Sequence, residues 1–284
     1  MTNTQFSYYP GCSLHSTAKE FNLSVHAVFN ALNIGLTELE DWNCCSASSA
    51  HALNRDLSLA LPARNLAIAQ KSGLDLIMPC AACFNRHKTA QFALQTQPEK
   101  RQMIEEAVGF EFQDSLEIRP PLEVIAEQIG LESVREHVTK PLSGLKTVDY
   151  YGCLLVRPVE VTRFENPEYP QLMTKILQSL GAEVMPWSYA TECCGGGLAL
   201  TKPAVAARLV LRLMDRAREA GAQAVVTSCP LCQLNLEMRQ KQDALPIFYF
   251  TELMGLAFGL PEAKTWWNKH LIDPTRLLGS LNLL

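Results

Sequence analysis

Two hydrophobic periods alternate along this chain, and the alternation runs through the same order twice. Gln5–Tyr9 alternates with aromatic residues and stops at Pro10-Gly11, as a short strand entering a turn does. Ser16–Asn33 then sets Phe21, Val25, Val28, Phe29 and Leu32 at helical spacing, with Ser16 as the N-cap. Leu36–Trp42 reads as a second strand and Ala52–Gln70 as a helix. Leu74–Met78 reads as a buried strand that Pro79 ends, and Ala82–Leu94 as the helix after it. Pro98–Gly130 is more charged and predicts two or three helices, including Pro121–Gly130; Glu132–Pro141 continues that region.

From Lys146 the order repeats. Lys146–Tyr151 predicts a strand, Leu154–Pro170 an irregular connection, Gln171–Gly181 a helix and Glu183–Pro186 a strand. Pro203–Ala220 is strongly helical, and its Leu and Ala stripes belong in the core. Ala224–Ser228 is a buried-type strand, followed by a helix whose first turn takes Pro230. Ile247–Phe250 predicts one more strand, then Thr251–Gly259 and Thr265–Leu271 terminal helices. The alternation predicts α/β layers in two internally repeated domains related by a pseudo-two-fold, 1–144 and 145–284, divided at Pro141-Leu142-Ser143-Gly144.

Cysteine makes the repeat exact in its second part. Cys12 precedes Cys44-Cys45 and Cys80-x-x-Cys83; Cys153 precedes Cys193-Cys194 and Cys229-x-x-Cys232. Cys45 to Cys194 and Cys80 to Cys229 are both 149 positions, whereas Cys12 to Cys153 is 141. The difference points to an insertion in the second copy, at Arg157–Pro170. All ten cysteines of the chain belong to the two quintets.

Composition narrows the chemistry. The chain has 284 residues, 48% hydrophobic and 19% charged, enough for a sizeable core. A net charge of −4 gives no reason to expect nucleic acid or an anionic membrane as partner. The N-terminal residues read as no secretory signal, and apolar patches such as Leu253–Leu260 fall far short of the roughly 20 residues of a spanning helix. A cytoplasmic protein is expected, peripheral at a membrane through partner subunits if at all. There, clustered cysteines mean metal or catalysis more often than structural disulfides. A thioredoxin-like pair would use Cys80-x-x-Cys83 or Cys229-x-x-Cys232 and leave three thiols per half unexplained. Structural zinc takes four ligands, one fewer than each half offers, and stays open for one half. Iron–sulfur clusters are held by thiolates on several irons, which suits a vicinal pair that cannot easily aim both sulfurs at one ion. The run Gly195-Gly196-Gly197 lets backbone approach a bulky core and point N–H groups at sulfur. Neither a C-x-x-C-x-x-C-x-x-x-C-P run nor a G-x-G-x-x-G after a strand is found, so electrons are expected to pass to another subunit.

Taken with Tyr8-Tyr-Pro-Gly-Cys-Ser-Leu14, Asp41-Trp-Asn-Cys-Cys45, Leu61-Pro-Ala-Arg-Asn65, Pro79-Cys-Ala-Ala-Cys83, Tyr150-Tyr-Gly-Cys-Leu-Leu-Val-Arg157, Thr191-Glu-Cys-Cys-Gly195, Cys229-Pro-Leu-Cys232 and Lys269-His-Leu-Ile-Asp-Pro274, the double pattern resembles the CCG-domain family along the whole chain. It looks most like the B-type subunit of heterodisulfide reductase. The resemblance implies two non-cubane [4Fe–4S] clusters. Cys12, Cys44, Cys45, Cys80 and Cys83 would ligate one, and Cys153, Cys193, Cys194, Cys229 and Cys232 the other. It implies disulfide chemistry between facing clusters on a small or protein-bound thiol substrate. The partners would be a cubane [4Fe–4S] C-type subunit and an FAD-containing A-type subunit. A related reading is the electron-transfer subunit of a type E succinate dehydrogenase or fumarate reductase, working with quinone. A two-coenzyme thiol pocket should show basic residues near the clusters; quinone work would favour an exposed apolar C-terminus around Trp266-Trp267 and Leu277–Leu284. Ser46 departs from the Gly usual after the vicinal pair, where its Cβ would crowd the first cluster.

Other candidates are weighed against plainer roles. His15 and His51 lie near Cys12 and Cys45, with a structural role favoured for both. Arg157 could meet an anionic substrate or be a solvated loop residue. His270 could wall a cavity or dock the C-terminus. His87 is expected at the surface or as a cap, and Glu192 at the start of a turn.

Overall fold

The computed structural model describes residues 4–47, 53–241 and 243–284. The first repeat forms a parallel sheet of β1 (Thr4–Tyr8), β2 (Ile34–Glu38), β3 (Leu76–Ile77) and β4 (Ile118–Arg119), in the order β2-β1-β3-β4. The second forms β5 (Lys146–Tyr150), β6 (Glu183–Val184), β7 (Ala224–Thr227) and β8 (Ile247–Tyr249), ordered β6-β5-β7-β8 and again parallel. Two sheets of the same order confirm the α/β repeat. Parallel neighbours need helical crossovers, which cover both faces of a sheet. That is why Phe6, Tyr8, Ile77, Val148, Tyr150, Val225 and Val226 are all buried although they point to alternate faces. Tyr8 lies opposite Ile77, and Asp149 lies opposite Val226, so Tyr8 and Asp149 hold equivalent places in the two sheets.

Several elements differ from the pattern-based expectation. Ser16 does not cap the long helix. Its hydroxyl donates to the Cys12 carbonyl and closes a separate short helix, Gly11–His15, before the main one runs Lys19–Ala31. The Ala52 start of the next helix falls outside the described residues; the described part, Arg55–Gln70, is capped by Asn54, which accepts from the Asp56 and Leu57 N–H groups. β4 lies in a stretch read as helical, since two residues, Ile118 and Arg119 between Glu117 and Pro120, carry no period. Pro121–Gly130 is α-helical only to Glu123 and then π-helical. The 157–170 insertion holds one short helix, Val159–Thr162, and Thr265–Leu271 forms 3-10 turns.

The halves share one continuous core. Phe21 of the first half stacks on Tyr249 of the second, ring centroids 4.1 Å apart and planes within 3°. Beside them the hydroxyls of Ser24 and Thr251 lie 2.7 Å apart, fully buried. Asn85 donates to the carbonyls of Leu154 and Arg157 across the same divide. Truncating Phe21 would open a cavity where the halves meet. Phe21→Ala is expected to lower unfolding stability by about 3–5 kcal/mol, read from the denaturant midpoint at unchanged slope.

Candidate metal centre

Every cysteine lies beyond the carboxyl end of a strand or in the first turn of the helix that follows. Cys12 comes after β1, Cys44-Cys45 after β2 and Cys80 after β3, with Cys83 inside the Ala81–Thr96 helix. Cys153, Cys193-Cys194 and Cys229 repeat this after β5, β6 and β7, with Cys232 inside the Pro230–Arg239 helix. With β1 between β2 and β3, the chain leaves β1 to one side and returns on the other. That reversal opens a crevice at the carboxyl ends of β1 and β3, and of β5 and β7. The topology therefore delivers each quintet to one spot.

All ten thiols are free. Cys83 Sγ lies 3.1 Å from Cys45 Sγ, and Cys194 Sγ lies 3.7 Å from Cys232 Sγ. Cys80 and Cys229, one from each half, lie near enough to shift each other's protonation, Cys80 up and Cys229 down, so the two quintets approach across the halves. The second quintet lines a cavity of about 60 Å³ with all five of its cysteines, closed by Ala81, Tyr151, Leu154, Leu231, Gly196 and Gly197. Its walls are apolar. In each vicinal pair one sulfur is buried and one exposed: Cys45 and Cys194 inside, Cys44 and Cys193 outside.

Glycines give the sulfurs their room. A Cβ on Gly11 would sit 2.9 Å from Cys83 Sγ, and one on Gly152 3.1 Å from Cys232 Sγ; both have positive φ. Gly195 donates its N–H to Cys193 Sγ at 3.3 Å. Ser46 takes the same left-handed backbone as Gly195, φ 69° against 78°. A Cβ on Gly195 would meet Leu209 at 2.9 Å; the position equivalent to Leu209 is Ala60, which leaves room for Ser46. The Ser46 hydroxyl donates to the Ser58 carbonyl in the neighbouring helix.

Tyrosines missed as functional by the sequence reading hold the vicinal pairs. Tyr9 donates to the Asn43 carbonyl at 2.9 Å, and Tyr150 donates to the Glu192 carbonyl at 2.6 Å. Each acceptor immediately precedes a Cys-Cys pair, and the repeated Tyr-Tyr before Cys12 and Cys153 was the available signal. In the first half Asn65 also clamps Asn43, accepting from its N–H and donating to its carbonyl. His87, expected at the surface, is completely buried. It donates from Nδ1 to the Cys83 carbonyl and accepts from Asn65 at Nε2, and burial lowers its pKa. The second half places Met214 and Leu236 where Asn65 and His87 stand. There Asn235 donates instead to the Cys194 carbonyl.

The sulfurs bias one another's protonation. Hydrogen bonds from Cys44 and Cys83 hold Cys45 down at about 3, and Cys153 holds Cys193 at about 6. Thiolate is the form that binds metal. Among the described residues no three His, Cys, Asp or Glu side chains converge as ligands of a single ion do; a polynuclear iron–sulfur group is held by thiolates on several irons. Free thiols, close glycines and N–H groups aimed at sulfur fit such a group.

The remaining candidates lie elsewhere. His15 is half exposed, 3.2 Å from Glu38 and edge-on to Trp42. Arg157 is engaged by Glu168 at 2.8 Å and donates to the Thr191 carbonyl, tying the insertion to the loop before Cys193. His51 falls outside the described residues. His270 docks the C-terminal segment: it is buried between Glu237, 3.0 Å from Nδ1, and Glu252, 2.9 Å from Nε2. Burial alone would lower its pKa, but the charge of Glu252 and bonds to both carboxylates carry it up to about 11. Trp266 and Trp267 are buried, not an exposed apolar tail.

Gly152→Ala is expected to cost the second quintet its bound metal while the first retains it, seen as roughly half the iron per chain in a folded protein. For His270 the raised folded pKa fixes the sign. Its stabilisation, measured as the difference in unfolding free energy from His270→Gln, is expected to be full below about pH 6.5 and lost as pH rises toward about 11.

The family model for the cysteine-rich (CCG) domain matches twice, over residues 6–86 and 148–237. The chain is 32% identical to the 8-methylmenaquinol:fumarate reductase membrane anchor subunit of Wolinella succinogenes, over 96% of this chain and 99% of that one. It is 26% identical to a protein of Archaeoglobus profundus that is itself named as like the B-type subunit of heterodisulfide reductase, covering 92% of both chains. It is 23% identical to the B-type subunit of the ferredoxin/F(420)H(2)-dependent CoB-CoM heterodisulfide reductase of Methanosarcina acetivorans, over 98% of this chain and 97% of that one. A Helicobacter pylori protein described only as hypothetical shares the fold, with TM-score 0.72 at 13% identity. The match covers 95% of this chain but only 52% of that structure. No described helix is long and apolar enough to cross a membrane. The chain belongs to the cysteine-rich CCG family of iron–sulfur electron-transfer subunits, and it carries two copies of the domain.

Proposed function

We propose that this chain is the electron-transfer subunit of a quinol-linked reductase complex, with an iron–sulfur cluster in each half. Cys12, Cys44, Cys45, Cys80 and Cys83 hold one cluster, and Cys153, Cys193, Cys194, Cys229 and Cys232 the other; the halves divide at Gly144. The observation that carries the choice is the character of the second cavity. Its walls are cysteine, glycine, alanine, leucine and tyrosine, whereas a pocket for two anionic thiol coenzymes calls for cations. The near-complete alignment with a subunit named for 8-methylmenaquinol:fumarate reductase supports the same reading.

When bound, the clusters accept and release single electrons, of non-cubane [4Fe–4S] type on this reading. The protein does the rest. Tyr9 and Tyr150 fix the vicinal pairs, and the glycines keep a close shell free of Cβ atoms. The meeting of Cys80 with Cys229 keeps the two centres adjacent. Cys12 and Cys44 are exposed and bring the first centre's edge to the surface, where a cubane-bearing C-type subunit can dock. That assembly would sit at a membrane through its partners.

Two observations favour the second reading, disulfide reduction within a complex with an FAD-containing A-type subunit: Trp266 and Trp267 are buried and offer no exposed apolar surface to a quinone, and the two quintets approach each other. Breaking an S–S bond takes two electrons, and two adjacent one-electron centres supply both.

Anaerobic purification followed by titration with a quinol and, separately, with thiols separates the readings. Bleaching of the visible absorption by quinol and indifference to thiols is the expected result. A response to thiols or disulfides alone would favour disulfide chemistry, and stoichiometric zinc without acid-labile sulfide would end both.

A further inference from the structure

One pocket of the second half is built from residues unlike those at the equivalent positions of the first. Beside the second centre, a cavity of about 240 Å³ is lined by Asp149, Thr174, Met185, Trp187, Tyr169 and Ala190, among others. Tyr169 comes from the insertion that the first half lacks. Asp149 occupies the place that Tyr8 fills in the first sheet, and Thr174 corresponds in sequence to Val25. Tyr8 and Val25 are completely buried, and the Tyr8 hydroxyl donates to Asn22. The second copy has exchanged them for a carboxyl and a hydroxyl that bond to each other, and has roofed them with a new loop. Packing does not require that exchange, because burying a carboxyl costs more free energy than a hydrogen-bonded tyrosine and a valine do. Asp149 is only 6% exposed. Trp187 donates to the Asp149 carbonyl, which fixes the indole as a wall. The opposite end abuts the metal centre: the Ala190 carbonyl accepts from the N–H groups of Tyr151 and Gly152, one residue from Cys153.

We propose that this pocket is the quinol site: a hydroquinone ring lies against Trp187 and Met185, with one O–H directed at the Asp149 carboxylate. The inference rests on the quinol-linked reading above and gives it a place. Oxidation converts two C–O–H groups to C=O. One proton passes to Asp149, and the other to water at the Tyr169 rim, where that ring is 72% exposed. The two electrons leave singly to the centre held by the Cys153 quintet, then to the Cys12 quintet and on to the partner subunit. Burial raises the Asp149 pKa, while the Thr174 hydroxyl bond opposes this, which suits a group that takes a proton and gives it up.

The test uses the full chain in its complex, with menadione and its reduced form menadiol as probes. Menadione is expected to quench tryptophan emission saturably, and Trp187→Phe to remove that component. Asp149→Asn should weaken binding about tenfold, and Thr174→Phe, which fills the cavity, should abolish it. Bleaching of the visible absorption by menadiol should slow in the same variants. Unchanged binding in all three variants would overturn the site, as would displacement of menadione by choline, the mark of an organic-cation pocket. Bleaching by menadiol at equal rates in wild type and variants would also sink the site while leaving the quinol reading intact. If menadiol bleaches nothing in the wild type, the quinol reading itself falls and the pocket loses its role.

Discussion

Five sulfurs from distant parts of each half must reach one spot without meeting side chains on the way, and the fold follows from that demand. Parallel strands send all their exits to the same edge of the sheet. Placing β1 between β2 and β3 then splits the helices to either side and leaves the edge open at the centre. Cysteines that follow the strands converge there by topology alone. Convergence is not yet clearance, and the residues just before Cys12 and Cys153 supply it. Gly11 and Gly152 turn the chain with positive φ and present no Cβ to Cys83 and Cys232. Tyr9 and Tyr150 then reach across to hold the loops of the vicinal pairs.

The two copies meet this demand with different means. The first backs its vicinal pair with a buried polar pair, His87 and Asn65, each satisfied by the other and by backbone. The second uses Met214 and Leu236 at those positions and anchors the Cys194 carbonyl through Asn235. A buried hydrogen-bonded dipole next to one centre and apolar packing next to the other give them unequal surroundings, the kind of difference that sets reduction potentials apart. Ser46 belongs to the same divergence. A Cβ at Gly195 would meet the end of Leu209 and the Ala206 backbone, whereas Ser46 carries one and has Ala60 where Leu209 stands.

The C-terminal segment closes the molecule through charge. His270 sits between two carboxylates that are themselves buried, so each ring N–H of the imidazolium donates to one of them. Glu252 also accepts from the Tyr249 N–H and Glu237 from the Leu271 N–H, which leaves no oxygen idle in a place where desolvation is costly. Because Glu237 lies on the helix that starts at Cys229, this arrangement braces the second centre from behind.

The sequence by itself determined the duplication, the α/β layering and the two thiol quintets, because spacing between cysteines and the alternation of hydrophobic periods survive without any three-dimensional information. It could not place β4, a two-residue strand with no period of its own, nor the true start of the helix after Cys12, where Ser16 serves the preceding turn. It misjudged His87 and Trp266-Trp267, since a polar or bulky residue shows its burial only through the partner that satisfies or covers it. Only the tertiary structure decided that Cys80 approaches Cys229 and that Asp149 lines a pocket whereas Tyr8, at the equivalent place, is buried and donates to Asn22. Both depend on how two distant, similar halves pack against each other and on an insertion in just one of them, and no local pattern encodes that.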